Sequence, residues 1–490
     1  MKKRLIISMI LAAVSVLPAA AQDFKDLFDE FAKEARKDFE DFQNDANKQF
    51  ADMLRESWEE FRLMTAVEPP RKPKPETLPV APSDSLPSSV TLPEPESPGM
   101  KVPSEPAPEP QVDVIPDKYD PLSYPRESLT DISFSFYNAL ASMSIPKSIV
   151  NYHMRDCRET EVANYWDVLA NDEHKTILWQ IDQSVEKMGL SGWGRYMWVK
   201  IVSDVTFGEM RRNEREVFKT FMLNQMGVDA RLGVVNGELT TMLAVKEQVY
   251  AQIFFTLDDR NYYLDKAIQN AESVFTYTSL FPEPVEPLSV EVTRPLRIER
   301  EGKTVTIERP SNLFPQPMTF KINTNHCHYY LDFPQVSVDV YARAAVDPVF
   351  SESLLAGFRP YLEGRTDLEK VSILMAYMHY DFEYAKDDDQ FGFEKPFFAE
   401  ENFVYPCNDC EDRSILFSYL VRNLVGLDVV LLDYPDHIAT AVCFKENVAG
   451  DHFMYGGKRY VVCDPTYIGA PVGMTMEDYV DVEFKVLPLS

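Results

Sequence analysis

The sequence predicts an α+β protein whose C-terminal domain packs a helix-borne cysteine on an antiparallel sheet and follows an earlier copy of the same fold. Three observations carry that expectation. An apolar helical pattern opens at Cys410 and runs into three strand-like segments. A shift of 199 residues lays segment 211–265 over 410–464 without a gap. Pro-rich residues 68–125 set the globular part apart from an N-terminal amphipathic stretch. With 490 residues, 45% of them hydrophobic and 26% charged, the chain can build two or three domains with sizeable cores.

Residues 1–21 have a basic start, a short apolar run and a small-residue end, the pattern of a cleaved secretory signal peptide. No cysteine lies near the expected cut, so a lipid-anchored N-terminus is not expected, and no later apolar run is long enough for a transmembrane anchor. The expected location is secreted or periplasmic. The formal charge of −29 repels nucleic acid and anionic lipid and sets both aside as partners.

Residues 22–67 are expected to form one amphipathic helix. Phe28, Phe39, Phe50 and Phe61 are spaced by eleven, as are Phe31, Phe42, Met53 and Met64, with Ala35, Ala46 and Ser57 completing the stripe. Eleven residues are close to three whole helical turns, so the stripe stays on one face. That face either packs on the protein's own body or serves self-association or a protein partner. The linker at 68–125, rich in Pro, Ser and Glu, is expected to be an extended tether that lets the helix act at a distance.

In the domain at 126–284, helical patterns run to about Phe221, followed by strand-like "ARLGVV", "LTTMLAV", "QVYAQIFFTL" and "RNYYLDKA". A β-rich connecting region is expected at 285–345, turning at Gly302. His326 and His328 would there share one strand face, a spacing compatible with zinc but lacking a third ligand, so no metal and no cofactor is expected. Two helices, "FSESLLAGFRPYLEG" and "LEKVSILMAYMHYDFEYAK", open the last domain, 346–490.

The chemistry centres on "YPCNDCEDRSILF", residues 405–417. Asp409 suits an N-cap, Asp412 follows three residues later, and Ile415, Leu416, Tyr419 and Leu420 recur at helical spacing. A thiol in the first turn of a helix faces unpaired N–H groups and the positive end of the macrodipole, which favours thiolate. A cysteine nucleophile also needs a base and a group to orient that base. His437 opens the second downstream strand-like run and Asp464 closes the third; His452, in an expected hairpin, is the weaker base candidate. In an oxidising compartment the six cysteines can pair. Cys407 is spaced to form a redox pair or a capping disulfide with Cys410, and Cys443 and Cys463 are either core thiols or a disulfide.

This order is similar to that of the transglutaminase-like cysteine enzymes, within the papain-like group, over roughly residues 345–480. The resemblance is carried by "LEKVSILMAYMHYDFEY", "NDCEDRSILFSYLVRNLVGLDV", "HIATAV" and "CDPT". It implies Cys410 as nucleophile, His437 as base and Asp464 as the residue orienting His437, acting on a protein or peptide substrate. Two positions depart from the family pattern: Asn408 stands where Gly is usual, and Ala439 where an aromatic is frequent. For the oxyanion, the backbone N–H of Cys410 is one natural donor, with Tyr405 or Asn402 as the side-chain candidate.

In the 199-residue register Phe218 meets Phe417, Gly227 meets Gly426 and Asp229 meets Asp428, while Arg211 faces Cys410, Glu238 faces His437 and only Asp265 keeps the aspartate. The first copy is then expected to be a degenerate transglutaminase-like domain. Three functions are consistent with the whole: hydrolysis of peptide or amide bonds through a thioester, the favoured reading; acyl transfer to an amine by the same thioester, the choice between the two depending on how well water is excluded; or a non-catalytic binding or assembly protein that uses the fold as a scaffold.

Overall fold

The computed structural model describes residues 44–69, 78–82, 125–266, 268 and 270–489. It is a mixed α and β structure with antiparallel sheets, one of them nearly closed. The expected signal peptide and the first half of the eleven-residue stripe, with Phe28, Phe31, Phe39 and Phe42, lie outside the described residues, as does most of the Pro-rich stretch. Among the described residues no helix is long and apolar enough to cross a membrane.

The described part of the stripe is a helix, α1, over 44–54. It docks on the protein's own body: Ala46, Phe50, Ala51 and Leu54 are buried, with the Phe50 ring 4.9 Å from Trp166 and 5.4 Å from Tyr277. The expectation of a continuous helix to residue 67 is wrong. The chain turns at 55–58 and becomes strand β1 (Glu59–Arg62), because the edge of a sheet is waiting for it. Phe61, a stripe position, pairs with Val274 in that sheet.

The first unit opens with a hairpin, β2 (Leu129–Phe136) and β3 (Ala139–Pro146), where helix was expected. Tyr137 and Asn138 both take left-handed φ, 47° and 65°, which forms its tight turn. Helices α2 (Glu159–Leu169), α3 (His174–Lys187), α4 (Gly192–Phe207) and α5 (Arg212–Gln225) follow. Next come β4 (Ala230–Val235), β5 (Glu238–Ala244), β6 (Phe254–Leu257), β7 (Arg260–Leu264) and β8 (Ser273–Thr276). The strand order is β1-β8-β4-β5-β7-β6. Met64, just past β1, bridges Phe254 on the opposite edge, so one short stretch of chain touches both edges and nearly closes the sheet around Met242, Phe255, Tyr262 and Val274.

The region at 285–345 departs from the sequence expectation. It holds one hairpin, β9 (Thr304–Arg309) and β10 (Met318–Asn323), then two helices, α6 (Thr324–Leu331) and α7 (Val338–Arg343). Asn323 caps α6 by accepting from the Asn325 N–H at 3.1 Å, and this local hydrogen bond overrides the strand-like alternation. His326 and His328 therefore share no strand face. His326 is buried, 3.2 Å from the Asn323 amide, and His328 is exposed on the helix surface.

The second unit contains α8 (Pro348–Leu362), α9 (Asp367–Tyr380) and α10 (Cys410–Leu420). Two-residue strands β11 (Glu383–Tyr384) and β12 (Cys407–Asn408) pair just before α10. The main sheet comprises β13 (Asp428–Tyr434), β14 (His437–Cys443), β15 (His452–Tyr455), β16 (Lys458–Cys463) and β17 (Lys485–Pro488), ordered β15-β16-β14-β13-β17. Moved by 199 residues, β5 coincides with β14 end to end, and the order β6-β7-β5-β4-β8 repeats as β15-β16-β14-β13-β17. The register of the central hairpin is also the same: Val235 opposes Glu238 as Tyr434 opposes His437. Gly227 and Gly426, equivalent positions, end the two helical stretches with left-handed φ of 78° and 72°. The cores are contiguous: one apolar cluster runs from Phe50 and Trp166 through Val217 to Ile415, Leu431 and Ile438.

Candidate active site

Cys410 is the first residue of α10, and the local sequence sets it there. Asp412 accepts a hydrogen bond from the Asp409 N–H at 3.2 Å, the reciprocal half of a capping box that fixes where the helix begins. Arg413, one turn on, is fully buried. It donates to the carbonyls of Met378 and Phe382 and to Asn408 Oδ1, each at 2.9 Å. Burial lowers its pKa to about 10, which leaves it cationic at neutral pH. These three bonds clamp α10 and the residue two before Cys410 onto the end of α9. Asn408 thus does side-chain work that a glycine there could not do.

His437 is the first residue of β14, in the middle of the sheet, while His452 sits on the outermost strand, two strands away. Ser414 Oγ donates to the Ile438 carbonyl at 3.1 Å, tying α10 close to its N-terminus to the start of β14. His437 Nε2 lies 2.9 Å from Asp464 Oδ2. Asp464 is held in turn by Thr466, whose N–H and Oγ1 reach Asp464 Oδ1 at 2.9 and 2.6 Å. Burial alone would raise the Asp464 pKa; the charge of His437 and the hydrogen bonds from His437 and Thr466 outweigh it and hold it below the usual carboxylate range. With Nε2 engaged by the carboxylate, Nδ1 is the ring nitrogen left to exchange a proton with a nucleophile. The Cys410 thiol donates to Glu411 Oε2 at 2.8 Å. Cys410, His437 and Asp464 are 2%, 2% and 3% exposed, so all three are closed off from the surface.

Two supporting residues lay inside segments whose sequence was informative but whose role was not. His379, near the end of α9, receives the Gly469 N–H on Nδ1 at 3.2 Å and meets the Asp464 carbonyl through Nε2 at 3.0 Å. Burial lowers its pKa to about 4, so it stays neutral and fixes the loop that carries Asp464. Tyr479 lays its ring 5.1 Å from that of His437. Thr466, visible in "CDPT", had a findable signal: a hydroxyl two residues after an aspartate closes a local turn on it.

Of the two oxyanion candidates, Asn402 is buried with Nδ2 directed to the Phe398 carbonyl at 3.4 Å and Oδ1 accepting from Asn408 at 3.0 Å. It supports the turn before α10. Tyr405 packs its ring 5.0 Å from both Phe391 and Phe397, with Lys395 Nζ 5.4 Å above it. All six cysteines are free thiols, including Cys407 beside Cys410 and the pair Cys443 and Cys463. Burial raises the pKa of Cys407, Cys443 and Cys463, which makes them poor nucleophiles.

Ligand atoms of Asp409, Cys410 and Glu411, and separately of Asp387, Asp409 and Asp412, approach within 4.8 Å of one another. In the second group two of the carboxylates accept from backbone N–H groups: Lys395 donates to Asp387 at 2.6 Å and Phe397 to Asp412 at 2.8 Å. No family model, curated protein or solved structure matches the chain.

Proposed function

We propose that the second unit is a transglutaminase-like cysteine enzyme that cleaves peptide or other amide bonds through a thioester. The observation that carries this reading is the Asp464–His437 pair, 2.9 Å long, on a strand tied by Ser414 to the helix that begins with Cys410. That arrangement supports the roles of nucleophile for Cys410, base for His437 and orienting acid for Asp464.

In the first half-reaction His437 Nδ1 takes the Cys410 proton, the thiolate attacks the carbonyl carbon, and the resulting oxyanion is met by the N–H groups at the start of α10. Collapse breaks the C–N bond, with His437 returning the proton to the departing amine. In the second half-reaction His437 deprotonates water, which attacks the thioester and releases acid and free thiol. The first unit, which has Arg211 and Glu238 at the corresponding positions, shares a contiguous apolar core with the catalytic one.

The test is iodoacetamide labelling across pH, with the modified residue located by mass spectrometry, in wild type and His437→Ala. Rapid labelling of Cys410 below pH 7 that the mutation abolishes is the expected result. Labelling at the rate of an ordinary thiol in both proteins would refute the catalytic reading and leave a binding protein.

A further inference from the structure

A thiol 2% exposed cannot meet a polypeptide amide until something moves, and the protein's own N-terminal chain lies against the rim of the site in two places. Beyond β1 the chain runs along the first unit, with Met64 N–H on the Phe254 carbonyl at 2.6 Å and the Val67 carbonyl accepting from Ala251 at 2.7 Å. It reaches Pro69, which walls a narrow cleft between the units together with Tyr250, Glu411 and Asp433; only about 50 Å³ of space is left there, room for a few water molecules.

The chain is described again at Leu78, now beside the catalytic loop. The Pro79 carbonyl accepts from the Ile468 N–H at 2.9 Å and the Ala81 N–H donates to the Ile468 carbonyl at 2.8 Å, a one-residue parallel bridge. Ala81 is buried in a niche of Tyr467, Ala470 and Met476, with Tyr479 against it. Tyr467 follows directly on the Asp464–Thr466 turn, and Tyr479 lies on the His437 ring. One layer of side chains separates Ala81 from the base.

We propose that the Tyr467–Ala470 edge is a subsite for an extended peptide, and that residues 78–82 occupy it as an internal competitor. The catalytic consequence rests on the enzyme reading above; the binding itself does not. The edge recognises backbone: Ile468 offers one N–H and one carbonyl, as in the addition of a strand to a sheet. Side-chain selection is confined to the Ala81 niche, which admits a small residue, while Val80 is 67% exposed and unselected. Proline on either side is compatible, since neither Pro79 nor Pro82 needs an N–H in this bridge. The ligand class is therefore an extended polypeptide with a small apolar residue at one position. Two backbone hydrogen bonds and one buried methyl group hold the internal segment weakly, so a competing peptide can displace it, helped only by the high local concentration that tethering gives the segment.

The experiment uses the full chain carrying Cys410→Ala, so that no turnover is needed, with and without Ala81→Asp, which places a charge in the apolar niche. The probe is a fluorescein-labelled peptide of sequence ETLPVAPSD, that of residues 76–84, read by fluorescence anisotropy; hydrogen exchange of residues 464–470 is followed by mass spectrometry. The expected result is about tenfold tighter peptide binding in Ala81→Asp, the gain produced when the open form rises from one-tenth to nearly all of the population. Exchange at Ile468 should speed up and be slowed again by the peptide. Ala81→Pro, which removes the N–H and fixes φ without adding a charge, should behave alike and guards against a misfolded charge variant. Unchanged exchange, or no peptide binding, in variants that melt as wild type does would overturn the proposal even if Cys410 labels as a paired thiolate. Peptide binding with an ordinary, unreactive Cys410 would uphold the subsite and refute the enzyme instead.

Discussion

The two units carry their central strands in the same order and hold different chemistry at the same three places. In the second, Cys410, His437 and Asp464 surround the junction of α10 and β14. In the first, Arg211 spends its guanidinium on the Val150 and Tyr152 carbonyls, and Glu238 pairs at the surface with Arg212 at 2.5 Å. Asp265, the counterpart of Asp464, is buried against Lys219, which also meets Glu216 at 2.8 Å. The carboxylate at the end of the third strand is thus retained, while its partner changes from an imidazole, which can accept and return a proton near neutral pH, to an ammonium that only neutralises it. A fold of this kind needs a counter-charge for that buried aspartate whether or not it does chemistry.

Six changes would break or sharpen the contrast. The largest effect belongs to Cys410→Ala, which should reduce amide cleavage on the order of 10⁶-fold, while Glu238→Gln at the surface of the first unit leaves it within about twofold; steady-state assay of both decides. Asp464→Asn should lower kcat about 10⁴-fold with the fold intact, through loss of the tautomer that His437 needs, whereas a loss seen only in KM would contradict the assigned role.

Lys219→Met tests the first unit, where the expected cost is to folding: about 3–5 kcal/mol by chemical denaturation, because Asp265 would stay buried without its cation while Glu216 keeps only the Arg215 cation at 3.2 Å. His379→Gln should flatten the acid limb of stability. The histidine is held neutral with its pKa lowered to about 4, so the fold loses its contribution as pH falls from about 6.5 toward 4, by about 2–3 kcal/mol. Denaturation midpoints at pH 7 and 4.5 should therefore differ less in the variant than in wild type. The smallest effect is expected from Glu411→Gln. Removing a carboxylate that accepts from the Cys410 thiol at 2.8 Å should favour the thiolate and raise the labelling rate of Cys410 at pH 6 severalfold; an unchanged rate would mean that Glu411 exerts no electrostatic hold.

Much of the second unit could be read along the chain because its signals are local. Asp409 and Asp412 mark a helix start, "LLDYPDHIATAV" alternates and turns as a hairpin does, and "DPT" closes a strand, so Cys410, His437 and Asp464 could be named before any contact was known. What failed was decided by partners distant in sequence. The stripe containing Phe50 and Phe61 has helical spacing throughout, yet only 44–54 of the described stretch is helix, because β8, more than 200 residues away, offers an open edge to Glu59–Arg62. The segment around His326 alternates like a strand, but the Asn323 cap and burial against Asp347 made it helical. His379 and Arg413 carry no spacing signal at all, since each acts on backbone carbonyls or amides brought to it by the fold.

The sequence by itself determined the identity and order of the three candidate site residues and the register in which the two units correspond, because helix caps, strand alternation and short turns are encoded within a few residues of one another. Only the tertiary structure decided that Cys410 is closed off, that the first unit holds its aspartate with a lysine, and that residues 78–82 lie on the loop that follows Asp464. Those features depend on burial and on backbone edges, and a backbone edge presents the same N–H and carbonyl whatever the side chain, so it leaves no mark in the sequence that meets it.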